Sequence, residues 1–174
     1  MIIVCPLSAV PGLVESHKVS HVLSLLGPEM TPPTLPLPTR CHLRLTLHDI
    51  SEPLEGYTHP EPWHVEEILN FVAGWDRSGP LLIHCYAGIS RSTAAAFTAM
   101  CALAPRADET ELAWELRSHS AVASPNRRMV AIADELLGRD GRMVDAVTAI
   151  GRGTDAFEGV VFSWPIRTYD DRHR

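Results

Sequence analysis

Cysteine is scarce in this 174-residue sequence, aromatic residues make up only 6%, and there is no surplus of positive charge. Cys5, Cys41, Cys85 and Cys101 are too few and too scattered to form a disulfide scaffold. The chain is therefore expected to fold on its core alone, in a reducing, cytoplasmic setting. Fifteen Lys and Arg face twenty-one Asp and Glu, a net charge of −6, which disfavours a nucleic-acid binder, since that would need a basic face to neutralise phosphates. No apolar run approaches the roughly 18 residues of a membrane helix, so no membrane partner is expected. Met1 to Val14 is apolar, but Pro6 and Pro11 interrupt it and no basic residue precedes it, so it reads as a strand and loop and not as a leader. Internal repeats, low-complexity tracts and linkers are also lacking. Residues 1–174 are expected to form a single catalytic domain, with roughly 154–174 as a C-terminal extension.

What is present is an alternation of strands and helices. Ile2 to Cys5 and His21 to Leu26 are short apolar runs that read as buried strands, with a short helix closing near His17 and Lys18. Met30 to Thr39 is a proline-rich loop. Leu43, Leu45 and Leu47 alternate with Arg44 and Thr46, which describes a strand with one buried face. A punctuated loop, Ser51 to Pro62, follows. Val65, Ile68, Leu69, Val72 and Trp75 then recur at helical spacing over Glu61 to Trp75. Leu81 to Ile83 reads as a central parallel strand. Helices are expected over Ser92 to Leu103, from Asp108 (paired with Glu111 as a capping box) to His119, from a Ser124 cap and Pro125 onward, and over Arg142 to Ile150. Val160 to Phe162 reads as an edge strand, and Asp170 to Arg174 as a frayed tail. The pattern implies an α/β fold with a mostly parallel sheet of about 4–5 strands flanked by helices.

The informative segment is His84-Cys85-Tyr86-Ala87-Gly88-Ile89-Ser90-Arg91-Ser92, between an apolar strand and an Ala-rich helix. A loop in that position turns backbone N–H groups inward at the positive end of a helix dipole, which makes an anion site. Gly88 permits the turn, and Arg91 offers a planar fork of donors suited to phosphate. Cys85 lies at the start of the loop in the same positive field, which favours the thiolate. A nucleophile at the floor of an oxyanion cradle suits attack on phosphorus through a phosphocysteine intermediate.

HCYAGISRS resembles the H-C-x5-R-S/T signature of the cysteine-dependent protein tyrosine phosphatases, and its A-G-I-S-R-S form is most similar to the dual-specificity branch and small bacterial relatives. The order of elements fits that family over roughly residues 1–140. The resemblance implies a phosphatase with Cys85 as nucleophile and Arg91 stabilising the transition state. It further implies that Ser92 assists the leaving thiolate, that His84 supports the loop, and that Tyr86, Ala87, Gly88, Ile89, Ser90 and Arg91 supply the cradle. The general acid such a reaction needs is expected on a loop after a strand, where Asp49 lies 36 positions before Cys85. Glu52 and Glu55 compete for that role, and capping the turn is the plain alternative for Asp49. No cofactor and no metal are implied. Expected partners are a phosphorylated protein or a small phosphate ester, with phosphate, sulfate or vanadate as inhibitory anions. A phosphate-binding pseudo-enzyme and a rhodanese-type sulfurtransferase are the competing readings.

Other residues have plainer explanations. His17 and His21 are four apart but have no third ligand nearby in sequence. His48, His59 and His64 read as solvated loop residues that could also line the mouth of the site. Asn126 reads as part of a helix start, and a similar asparagine positions the acid loop in relatives of this family. Trp63 and Trp75 are expected in the core. Cys5 and Cys41 are open candidates for a thiol that resolves oxidised Cys85.

Overall fold

A computed structural model describes residues 1–166, and the expected tail at Asp170 to Arg174 lies outside the described residues. Five strands, β1 (Ile2–Pro6), β2 (His21–Leu26), β3 (His42–Thr46), β4 (Leu81–Cys85) and β5 (Phe162–Trp164), form one sheet in the order β3-β2-β4-β1-β5. All neighbours are parallel except β5, which runs antiparallel to β1. The sheet is α/β as expected. The most apolar runs, β1, β2 and β4, are buried at every position and occupy its middle.

Alternation along these strands divides the core in two. Ile2, Val4, Leu23, Leu25, Leu81 and Ile83 pack with the helices α2 (Pro62–Gly74), α3 (Arg91–Leu103), α4 (Glu109–His119), α5 (Arg127–Leu136) and α6 (Arg142–Ile150). Ile3, Cys5, Val22 and Leu82 pack on the opposite face, against α1 (Val10–Ser16) and Leu35 and Leu37 of the proline-rich segment. Among the described residues the sheet thus has a thick face of five α-helices and a thin face of one. Helix α3 is buried from Arg91 through Cys101 and packs against α2, α4 and α5, which its alanines allow to approach closely.

Several boundaries differ from those expected. β3 ends at Thr46; Leu47 is beyond it, although it is fully buried and its N–H donates to Leu26 O at 2.8 Å. α5 is capped by Asn126, not Ser124, because the Asn126 carboxamide oxygen accepts the Met129 N–H at 3.1 Å. Ser124 is used elsewhere: its Oγ accepts the Gly153 N–H at 3.0 Å, and its own N–H donates to Ile89 O. The edge strand lies at Phe162–Trp164 and not at Val160 to Phe162, because the fully buried Trp164 pairs with Ile2 while Val160 and Val161 stay exposed. Trp75 is in the core, but Trp63 is half exposed and stacks on the His64 ring. His64 is not a solvated loop residue. It is buried in the first turn of α2, where Nδ1 accepts the Glu61 N–H at 3.0 Å and Nε2 donates to Thr46 O at 3.3 Å. Burial lowers its pKa, in keeping with a neutral ring.

Candidate active site

The loop from Cys85 to Arg91 joins the end of central β4 to the start of α3. Its carbonyls account for its shape. Cys85 O meets His84 Nδ1 at 3.2 Å, Tyr86 O accepts the Leu7 N–H at 3.0 Å, and Ala87 O accepts the Gly159 N–H at 2.7 Å. Ile89 O accepts the Ser124 N–H at 2.9 Å, and Ser90 O accepts the Ala94 N–H at 2.9 Å. In a planar trans peptide the next N–H points opposite to the carbonyl. With these carbonyls tied outward, the N–H groups of Tyr86, Ala87, Gly88, Ser90 and Arg91 turn toward the inside of the loop. Gly88 N–H already donates to Cys85 Sγ at 3.3 Å. Gly88 has φ +72°, and a Cβ there would stand 2.7 Å from Pro6 N, so both its conformation and its proximity to β1 require glycine.

Cys85 is buried at the floor of this ring, and its Sγ lies 3.2 Å from Ser92 Oγ. His84 is fully buried on the other face of β4, and its Nε2 is 2.6 Å from Ser24 Oγ. Burial, helped by the charge of Arg91 and by His42, pushes His84 down to about 4 against the pull of its bond to Cys85 O, so the ring is neutral at neutral pH. Arg91 is buried, and its Nη1 donates to Leu47 O at 2.7 Å. Among the described residues its Nε has no hydrogen-bond acceptor.

The segment after β3 brings Asp49 to the same place. Asp49 Oδ1 accepts from Ser90 Oγ at 2.7 Å and from Asn126 Nδ2 at 2.8 Å, and Oδ2 lies 3.9 Å from Arg91 Nε. Asn126 also reaches Ile50 O, and Arg128 donates to Pro60 O at 2.6 Å, so the start of α5 holds both ends of the acid loop. His48 pins the loop's neck: its N–H donates to Thr58 O, and its Nδ1 accepts the Thr58 N–H. Glu52 and Glu55 are exposed and make no hydrogen bond or ion pair among the described residues. A cavity of about 540 Å³ opens beside Asp49 and Ser90, walled by Asn126, Arg127, Val147 and Arg152.

Of the expected site residues, Cys85, Ser92 and His84 share one set of contacts and Ser90, Arg91 and Asp49 a second, both built on the same loop and helix start. Sequence reading did not find the segment around Gly159, whose N–H holds Ala87 O and whose neighbour Glu158 accepts from Ser8 Oγ at 2.7 Å. No motif marks it, because its partners lie some 70 and 150 positions away. Ser24 and His42 were also missed. All four cysteines are free thiols, and Cys5 and Cys101 are pushed up to about 12, mainly by burial. Cys5 shares the face of its register partner His84, whereas Cys85 packs on the opposite face. Among the described residues, no group of three or more His, Cys, Asp or Glu is placed to hold a metal ion, and no helix is long and apolar enough to cross a membrane.

This arrangement, a parallel sheet presenting a cysteine loop to the start of a buried helix, is the fold of the dual-specificity and protein tyrosine phosphatases. The PTP-2 phosphatase of Cydia pomonella is similar in structure, with TM-score 0.60, 21% identity, and coverage of 76% of this chain and 83% of that one. DUSP15 has TM-score 0.60 and 18% identity over 84% of this chain and 88% of its own. PTPMT1, solved in complex with PI(5)P, has TM-score 0.55 and 18% identity over 84% and 90%. No family model matches the sequence, and no curated protein matches it in sequence.

Proposed function

We propose that this chain is a cysteine-dependent phosphomonoester hydrolase that acts on phosphotyrosine in proteins and on other phosphate monoesters that reach the loop. The observation that carries this reading is the buried Arg91 Nε, which faces Asp49 at 3.9 Å but has no hydrogen-bond acceptor among the described residues, beside a cysteine loop with inward N–H groups. Leaving such a buried donor without a hydrogen bond costs free energy, which a bound phosphate oxygen recovers. Cys85 Sγ attacks phosphorus from the floor of the loop, and the bond from phosphorus to the ester oxygen breaks as Asp49 gives that oxygen a proton. Ser90 and Asn126 hold Asp49 in place for the transfer. In the second step Asp49 takes a proton from water, which attacks the phosphocysteine. The thiolate leaves with the Ser92 hydroxyl donating to it. The unpaired thiol the reaction needs fits a reducing, cytoplasmic location.

The test is hydrolysis of p-nitrophenyl phosphate, and of phosphotyrosine and phosphoserine peptides, by the wild-type chain and by Cys85→Ser. Wild type should turn over in the presence of EDTA. Cys85→Ser should lose turnover but still bind vanadate, because the cradle is mostly backbone. Iodoacetate should modify Cys85 below pH 8 and phosphate should protect it, while Cys5 and Cys101 stay unmodified. An activity that EDTA abolishes and zinc or magnesium restores, or turnover retained by Cys85→Ser, would sink the mechanism. Thiosulfate:cyanide transfer without ester hydrolysis would favour sulfur chemistry.

A further inference from the structure

The thin face of the sheet carries a row of polar side chains that crosses three strands and ends at the nucleophile's own peptide. Arg44 Nε and Nη2 lie 3.4 and 3.3 Å from His42 Nδ1 on β3. His42 Nε2 lies 2.8 Å from Ser24 Oγ on β2, and the same Oγ lies 2.6 Å from His84 Nε2 on β4. His84 Nδ1 closes the row on Cys85 O. Ser24 pairs in register with both His84 and Arg44, so the parallel ladder itself places these groups side by side. Ser24, His42 and His84 are all buried, while Arg44 is exposed at the sheet edge.

Both ends of the row have fixed polarity. A guanidinium can only donate and a carbonyl can only accept. Working inward from Cys85 O, His84 Nδ1 carries the proton. Its neutral ring then has a bare Nε2, so the Ser24 hydroxyl donates to it and Ser24 Oγ accepts from His42 Nε2–H. His42 is left with a bare Nδ1, the atom that Arg44 faces as a donor. Working inward from Arg44 leads to the same assignment. A second proton on His42 would point at the Arg44 guanidinium, and one on His84 would leave the Ser24 hydroxyl with two donors facing it. Burial and the neighbouring Arg44 push His42 down to about 4, which agrees with the neutral ring.

We propose that Ser24 and His42 are positioning residues for Cys85, members of a one-way hydrogen-bond chain that fixes the His84 tautomer and thereby ties the Cys85 carbonyl away from the anion cradle. The proposal rests on the reading of Cys85 as the nucleophile. If the chain is cut, His84 is free to take the other tautomer and the Cys85 carbonyl loses its donor. The negative end of that carbonyl dipole, next to the sulfur, then opposes the thiolate. The charged and titratable groups facing the row and the sulfur are Arg91 at the start of α3, Asp49 after β3, Cys5 on β1 and Arg44 at the outer end. Cys5 stays protonated through the working pH range and adds no charge there.

Two measurements on the full chain test this. In the wild type, nitrogen-15 histidine spectra at neutral pH should show the Nδ1–H form for His84 and the Nε2–H form for His42; the opposite tautomer in either ring overturns the chain. For Ser24→Ala and His42→Leu, the pH of half-maximal iodoacetate modification of Cys85 should rise by about half a unit to one unit, the scale of one hydrogen bond. The acidic limb of kcat/KM for p-nitrophenyl phosphate should move with it. His42→Gln should return both toward wild type, because its carboxamide can accept from Arg44 and donate to Ser24. Folded Ser24→Ala and His42→Leu with wild-type pH positions overturn the proposal, and if they do not fold the tautomer spectra decide it. A wild-type chain inactive on every phosphate ester overturns the phosphatase reading instead, whatever the tautomers are.

Discussion

Asp49 illustrates how single residues divide the work. Its carboxylate is fixed beside the cysteine loop by a hydroxyl from that loop and an amide from the cap of α5, which is where the proposed mechanism needs an acid. Asp49→Asn keeps the shape and removes the proton. It should lower kcat on an alkyl or phenyl phosphate by roughly 10²–10⁴, less for leaving groups of low pKa, and flatten the basic limb of the rate profile. Glu52→Gln and Glu55→Gln should leave kcat unchanged, and the opposite result moves the acid down the loop. Cys85, Arg91 and Ser92 were legible because they form one contiguous motif with a physical rationale for each position. Ser24 was not, because its partner His84 is 60 positions away and a serine in an apolar strand carries no signal of its own.

At the scale of elements, β2, β3 and β4 carry a buried polar row that must stay neutral, and this makes the sheet sensitive to acid. His84 and His42 lie near 4 in the folded chain and near 6.5 when unfolded, so the unfolded state binds more protons between those values. Their contribution is complete above about pH 6.5 and is lost as pH falls toward 4; for His84 it is on the order of 3 kcal/mol. Urea unfolding should therefore show stability falling steeply across that window, and His42→Gln should make the slope shallower. An unchanged slope would place the acid sensitivity elsewhere. Element types were readable from periodicity, since α2 and β3 show clean helical and alternating patterns. Boundaries were less so, because competing caps such as Ser124 and Asn126 are chemically equivalent in sequence. The partners of the side chains separate them: Ser124 Oγ accepts the distant Gly153 N–H, whereas Asn126 Oδ1 accepts the Met129 N–H.

At the scale of the molecule, residues 158–164 tie the far end of the described chain to its beginning and to the cradle. A Cβ at Gly159 would stand 2.7 Å from Gly88 O, backbone against backbone, with no flexible atom to give way. Gly159→Val should weaken vanadate binding and lower kcat/KM, while Val160→Ala, at an exposed neighbour, should change neither. Vanadate affinity retained in Gly159→Val would mean that the strap only covers the sheet edge. The sequence pattern indicates an edge strand in this segment, over Val160 to Phe162, but carries no sign of the contact between Gly159 and the cysteine loop.

The Ile2–Trp164 pairing has a consequence for how the molecule is made. Translation delivers β1 early and its outer neighbour β5 after every other strand and helix described. Through that interval a wholly apolar strand presents an open row of N–H and C=O groups to any other chain in reach. Closure then depends on a contact of very high sequence separation, the kind that slows folding. The strand that closes this edge is thus three residues long and follows every other described strand and helix in the chain.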